Sequence, residues 1–387
     1  MNKFALLKAR ILRMASYATL MALLIFSGMA AHKLPLPPYE FVNNAALKHL
    51  GVGTPKEYLE TPKEYLETDV AQLISIRQPQ DVSRLRKELI AILWGNPGIP
   101  LSLPSAVDKG FTDTRYKDIS SLSDIDKLSI VMKFGIESYV YHFIPKTPNN
   151  KVVLYHQGHD GDFYESKVQI TRFLDTGYSV AAFSMPLLGL NNQPTVQLPR
   201  QGKLKLTSHD HMKFLLPKNG HPVKYFVEPV AIVLNYLEKN FDYSSVSMVG
   251  ISGGGWTTTL AAAIDTRIEK SFPVAGSYPI YLRSNSQRDW GDYEQTLPEI
   301  YRTVNYLELY ILGSYGLHRK QLQLINQYDS CCFAGTKWET YKDIIRQRVH
   351  ELGTGEFELF LDATHREHLI SEAAMSRILD ELASNSR

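Results

Sequence analysis

The chain has 387 residues, of which 44% are hydrophobic and 21% charged, so it is too long and too apolar for a disordered chain or a disulfide-stapled mini-protein. Its formal charge of +2 rests on Lys3, Lys8, Arg10 and Arg13, and without these four cations the remainder is net −2. A near-neutral body without basic runs lacks the electrostatic footprint of nucleic-acid binding, and no such partner is expected.

From Met14 to Ala31 the chain reads 18 residues without a charge, directly after the four cations. That is the pattern of an export signal. The apolar length sits at the lower bound for a spanning helix, while Gly28 and Ala30 offer a small-x-small cleavage site, so residues 1–31 read as a signal peptide or as a signal anchor. Either address puts the body outside the cytoplasm, held to the membrane by this segment or secreted.

Pro35, Pro37 and Pro38 form a stiff spacer. A perfect tandem heptapeptide follows, TPKEYLE from Thr54 and again from Thr61, each copy with Thr at a helix N-cap, Pro at N1 and Glu at N3, the grammar of a capping box. Two copies are too few for a solenoid. Asp81 is expected to cap the next helix, in which Val82, Leu85, Leu89, Ile92 and Leu93 keep the i, i+3, i+4 spacing until Gly95. Residues 32–123 are read as a spacer and helical extension packed on the main domain, residues 124–387.

Beyond Asp126 the pattern changes. KLSIVMKF and SYVYHFI alternate like an antiparallel pair around Gly135, and KVVLYHQG is a short buried strand. Helices near Tyr164–Leu174, Val223–Leu237, Gly254–Ile264 and Trp338–His350, and a last one from Glu372, then alternate with strands from Tyr178, Val246, Ser271, Gln321 and Phe357. Such alternation implies an α/β protein with a mostly parallel sheet and helices on both faces, its site beyond the carboxyl ends of the strands.

At one of those ends stands Gly250-Ile251-Ser252-Gly253-Gly254, a GxSxG pattern between a strand and a helix. A serine there occupies a sharp strained turn, with glycines removing side chains that would clash with strand and helix. A serine hydroxyl is a weak nucleophile and needs a base oriented by an acid. Asp329, closing the strand QLQLINQYD, is the best-placed acid, with Asp362 as understudy. The base lies in Asp362-Ala363-Thr364-His365-Arg366-Glu367-His368, where reach alone favours His365 over the alternative His368. The oxyanion of acyl transfer needs two backbone N–H donors, assigned to Gly253 and to His159 in the run His156-Gln157-Gly158-His159. Zinc held by His156 and His159 is set aside because no third ligand stands at sensible spacing, so neither a metal nor a cofactor is expected. Cys331 and Cys332 exclude a CxxC site and read as buried thiols, with a vicinal disulfide as the alternative.

These motifs, over residues 126–384, resemble the serine hydrolases of the α/β-hydrolase fold. The resemblance rests on the turn Gln157-Gly158-His159, the nucleophile elbow and the order Ser252, Asp329, His365. It implies acyl transfer through an acyl-enzyme on Ser252 without fixing the substrate; the expected activity is that of a carboxylic-ester hydrolase or deacylase of the esterase/lipase type, acting on a small-molecule, carbohydrate or lipid ester. An acyltransferase with the same triad and a catalytically silent hydrolase-fold binding protein are the alternatives. Gln157 stands where the family has histidine before the glycine. The stretch 277–320 is a cap-like insert carrying Arg283, Arg288, Asp289, Trp290, Asp292, Tyr293 and Glu294, then Tyr301, Tyr306, Tyr310 and Tyr315, read either as a pocket for a polar, sugar-like acyl ester or as an amphipathic helical cap with ordinary surface charges. The loop Pro186–Pro217, with Asn191, Asn192, His209, Asp210 and His211, reads either as a border of the site or as a solvated loop.

Overall fold

The computed structural model describes residues 56–384 apart from 200, 201 and 285. The export segment and the proline spacer lie outside these residues. Among the described residues no helix is long and apolar enough to cross a membrane.

Nine strands form one sheet: β1 (Ala106–Asp108), β2 (Leu122–Val131), β3 (Glu137–Pro145), β4 (Lys151–His156), β5 (Ser179–Phe183), β8 (Ser245–Ile251), β9 (Lys270–Val274), β10 (Lys320–Asn326) and β11 (Glu356–Asp362). A separate hairpin joins β6 (Thr195–Leu198) to β7 (Gly202–Lys205). The spatial order is β1-β2-β3-β5-β4-β8-β9-β10-β11. The first three strands run antiparallel to their neighbours, β2 and β3 pairing across the turn at Gly135, and the rest are parallel.

The central parallel strands β4, β5, β8, β9 and β10 are buried on both faces, which is why most of their sequences read as apolar runs, while β11 at the sheet edge is only partly buried. Val152 and Leu154 of β4 enter one core with Met248 and Ile325, whereas Val153 and Tyr155 enter the other with Val249, Ile251, Leu322 and Leu324. The first core is closed by α1 (Pro79–Trp94), α3 (Lys224–Asn240), α4 (Gly253–Ile264), α5 (Tyr306–Ser314) and α6 (Lys342–Glu351); the second by α2 (Lys167–Asp175) and α7 (Glu372–Ala383).

Helix α1 buries Val82, Leu85, Leu89 and Leu93 on the first core, and Gly95 ends it at φ 69°. Asp81 caps it from N3, as a member of a capping box, and is not its N-cap. The helix starts at Pro79 after Gln78, and Asp81 stands at N3, accepting the backbone N–H groups of Arg77 (3.0 Å) and Gln78 (3.2 Å). The guanidinium of Arg86 crosses to Ala263 O and Leu312 O, both at 2.9 Å, and so places positive charge at the carboxyl ends of α4 and α5, where the helix dipoles favour it.

The expected capping box of the repeat is absent from its second copy. The short helix Lys63–Leu66 begins after Pro62 without a side-chain cap, and Thr61 Oγ1 bonds Thr336 Oγ1 instead (2.9 Å). What the two copies share in space is a buried tyrosine reaching the insert. Tyr58 donates to Asp289 Oδ1 (2.7 Å), and Tyr65 meets Ser284 Oγ (2.8 Å).

Candidate active site

Four loops leave the carboxyl ends of β4, β8, β10 and β11 on the same edge of the sheet, and each carries one group singled out above: His159, Ser252, Asp329 and the His365/His368 pair. Register places them there, since β4 neighbours β8 and β10 lies between β9 and β11.

Ser252 has φ 57° and ψ −125°, a strained conformation for a residue with a side chain. Its backbone N–H donates to Val274 O (2.9 Å), tying the elbow to the next strand. The glycines are there because strand and helix backbones nearly touch: a Cβ on Gly250 would lie 2.2 Å from Gly254 O, and one on Gly254 would lie 2.1 Å from His156 O. On the facing loop a Cβ at Gly158 would stand 2.6 Å from Ser252 Cβ, so only glycine lets the turn after β4 approach the serine. Gly253 opens α4, so its N–H has no intrahelical acceptor and points where the helix amino terminus favours negative charge.

Asp329 is fully buried three residues past β10. Its Oδ1 accepts the backbone N–H groups of Cys331 (2.7 Å) and Cys332 (3.4 Å), and its Oδ2 accepts Asn326 Nδ2 (3.1 Å) and His368 Nδ1 (2.7 Å). The partner of Asp329 is therefore His368, and the pairing with His365 expected from reach is not found. His365 faces the other carboxylate, its Nε2 3.4 Å from Asp362 Oδ2. Asp362 is occupied in holding the turn that turns His368 inward, accepting Thr364 N (2.9 Å), Thr364 Oγ1 (2.6 Å) and Ser371 Oγ, while Ser371 caps α7. Counting residues from the strand end misjudged reach because this turn is compact.

With Nδ1 bonded to a carboxylate, His368 is oriented through one nitrogen, and its buried Nε2 has no hydrogen-bond partner among the described residues. Burial disfavours the imidazolium, but Asp329, Cys331 and Asp160 outweigh it and push the pKa up to about 10. Cys331 and Cys332 are half-buried, with Sγ atoms 2.6 Å apart, rather than fully buried thiols.

Gln157 takes no part in the edge. Its Oε1 accepts Ser166 Oγ (2.6 Å) in the core, and His156 is likewise turned inward, stacked on Phe183 with its pKa pushed down by burial to about 4.

The insert carries exposed groups, Trp290 and Asp292 among them, but most of its named charges do not face solvent. Arg283, Asp289 and Glu294 are all buried. Arg283 donates to Tyr278 O (2.7 Å) and stacks over Tyr306, its carbon 4.3 Å from the ring centre. Asp289 pairs with the buried Lys337 and accepts Phe333 N (2.6 Å). Glu294 Oε1 lies 2.9 Å from His159 Nε2 and 3.5 Å from His209 Nδ1. Burial opposes its charge, yet His209 and His159 hold it well below the usual carboxylate range. In the sequence Glu294 and His209 stand out only as residues of a possible pocket and a bordering loop, since nothing local links positions 159, 209 and 294.

No family model and no curated protein matches the sequence. Among solved structures, acetyl xylan esterase 1 from Thermoanaerobacterium sp. JW/SL YS485 superposes with a TM-score of 0.53 at 12% identity, over 86% of this chain and 100% of that one. Methylesterase BT1017 gives 0.56 at 14% identity, over 84% of this chain and 69% of that one. At these identities the likeness concerns the backbone. The protein has the α/β-hydrolase fold, as the order of its strands and the elbow after β8 require.

Proposed function

We propose that the protein is a serine hydrolase of carboxylic esters, with Ser252 as nucleophile, His368 as base and Asp329 as the acid that orients it. Two observations carry this reading: the bonded pair Asp329–His368 after β10 and β11, and the strained elbow at Ser252 after β8, on the same edge of the sheet. Ser252 Oγ attacks the acyl carbonyl as its proton passes to His368 Nε2, and the imidazolium formed is held by Asp329 Oδ2. The N–H groups of Gly253 and His159 receive the oxyanion. His368 returns the proton to the leaving alcohol, then takes one from the water that attacks the acyl-enzyme, and Ser252 is regenerated. Both structural neighbours bear names of esterases, in keeping with an ester rather than an amide. A small-molecule, carbohydrate or lipid ester is the substrate class, and the apolar segment Met14–Ala31 directs the enzyme out of the cytoplasm.

The test is hydrolysis of short nitrophenyl esters by the wild type and Ser252→Ala. Loss of turnover with an unchanged circular-dichroism spectrum is expected, and undiminished turnover in the variant would overturn the proposal. Repeating the assay with an acceptor alcohol separates hydrolysis from acyl transfer, since a transferase yields a new ester at the expense of free acid.

A further inference from the structure

His159, His209 and Glu294 come from three separate segments: the turn after β4, the 3-10 helix His209–Phe214 in the loop after β5, and the 3-10 helix Tyr293–Gln295 of the insert. Their facing atoms form a small triangle. His159 Nε2 lies 3.2 Å from His209 Nδ1 and 2.9 Å from Glu294 Oε1, and the third side, His209 Nδ1 to Glu294 Oε1, is 3.5 Å. Ligands bound tetrahedrally at about 2.0–2.1 Å are separated from one another by about 3.3 Å, so the triangle has the size of one face of a zinc site. His209 and Glu294 are buried, and His159 is only partly exposed.

The far side of each imidazole is also arranged as metal sites arrange it. His209 Nε2 donates to Pro186 O (2.8 Å), which leaves Nδ1 as the nitrogen that faces the triangle. His159 Nδ1 faces Asp292 Oδ2 at 3.4 Å. A proton on His159 Nε2 can bond Glu294 Oε1 at 2.9 Å, and Glu294 Oε2 is buried without a hydrogen-bond partner among the described residues. With that proton released, a divalent cation in the triangle would take a lone pair from each of the three facing atoms.

We propose that His159, His209 and Glu294 bind a zinc ion at the edge of the active site, leaving a fourth position to water or a substrate oxygen. Two imidazoles and one carboxylate favour zinc over magnesium or calcium, which take oxygen ligands. The site pins the turn that carries the His159 N–H to the insert and to the loop after β5. It also adjoins the nucleophile elbow, because the His159 ring fills the space a side chain at Gly253 would need, with Cε1 and Nδ1 each 2.4 Å from where its Cβ would be. The inference does not depend on the esterase reading.

The experiment is calorimetric titration of the full-length protein with zinc after dialysis against a chelator, paired with cobalt(II) as a spectroscopic probe. One equivalent of zinc per chain is expected, with the visible absorption of four- or five-coordinate cobalt. Glu294→Gln, which keeps size and hydrogen bonding, and His209→Ala should each weaken binding by two orders of magnitude or more, and Asp292→Asn, acting through His159, by about 10- to 100-fold. Circular dichroism of each variant separates lost binding from lost folding. Absence of stoichiometric binding in the wild type would overturn the proposal, and so would binding that survives in folded Glu294→Gln and His209→Ala. Loss of the ion in Cys331→Ser/Cys332→Ser, with the triangle intact, would move the site to the cysteine pair beside His368.

Discussion

His368 and His365 stand three residues apart and face different carboxylates, so exchanging them for alanine should have unequal effects. His368→Ala and Asp329→Asn are each expected to lower kcat by roughly 10^4, since the members of a triad act as a unit. His365→Ala should cost far less, and steady-state kinetics on a nitrophenyl ester gives the ranking. The raised pKa of His368 has a consequence for pH as well. The base must be neutral to accept the serine proton, so kcat/KM should climb with pH through an inflection well above 6.5, the ordinary imidazole value. Asp329→Asn should move that inflection down along with the rate. Stability responds in the opposite sense: a folded-state pKa above the unfolded one contributes stability that is fully present below about 6.5 and is lost as pH rises through about 10. A pH series of denaturant unfolding on the wild type and His368→Ala reads it, and a difference that does not shrink at high pH would contradict it.

The elements were legible in the sequence wherever one period persisted. The alternation in β2 and β3, the apolar runs of the parallel strands and the spacing in α1 each correspond to a physical face, buried or exposed, that the pattern records. The elbow was legible for a different reason, because close approach of α4 to β8 and to the end of β4 permits only glycine at Gly250 and Gly254. Partners across loops were not. Asp329 was read as the acid, but whether His365 or His368 meets it depends on how tightly the turn held by Asp362 closes, which spacing does not encode. Arg283, Asp289 and Glu294 look like surface charges in the sequence and are buried because their partners arrive from distant segments. The capping box of the second copy failed similarly, for Thr61 found Thr336 in place of its own helix. At this scale Lys337→Ala should cost about 3–5 kcal/mol, because it strands the buried carboxylate of Asp289. Leu89→Ala, at a fully buried position of α1, should cost about 2–5 kcal/mol. Denaturant titration measures both, and values near zero would mean that the insert or α1 packs otherwise.

At the scale of the whole molecule, every group proposed for catalysis lies at His159 or later, on loops carried by one sheet. Removing Met1 to Ala31 should therefore leave a soluble protein that still turns over esters, while the full-length protein should fractionate with membranes or outside the cytoplasm in its native cell. Full-length protein found soluble in the cytoplasm would overturn the address and leave the triad untouched. The central claim is that Ser252 is a nucleophile activated by the pair behind it. Labelling the full-length protein with a fluorophosphonate, followed by peptide mapping, tests it most directly. The expected result is one adduct per chain on the peptide containing Ser252, lost in Ser252→Ala and strongly slowed in His368→Ala. An adduct on another residue, or labelling that persists undiminished in Ser252→Ala, would contradict it.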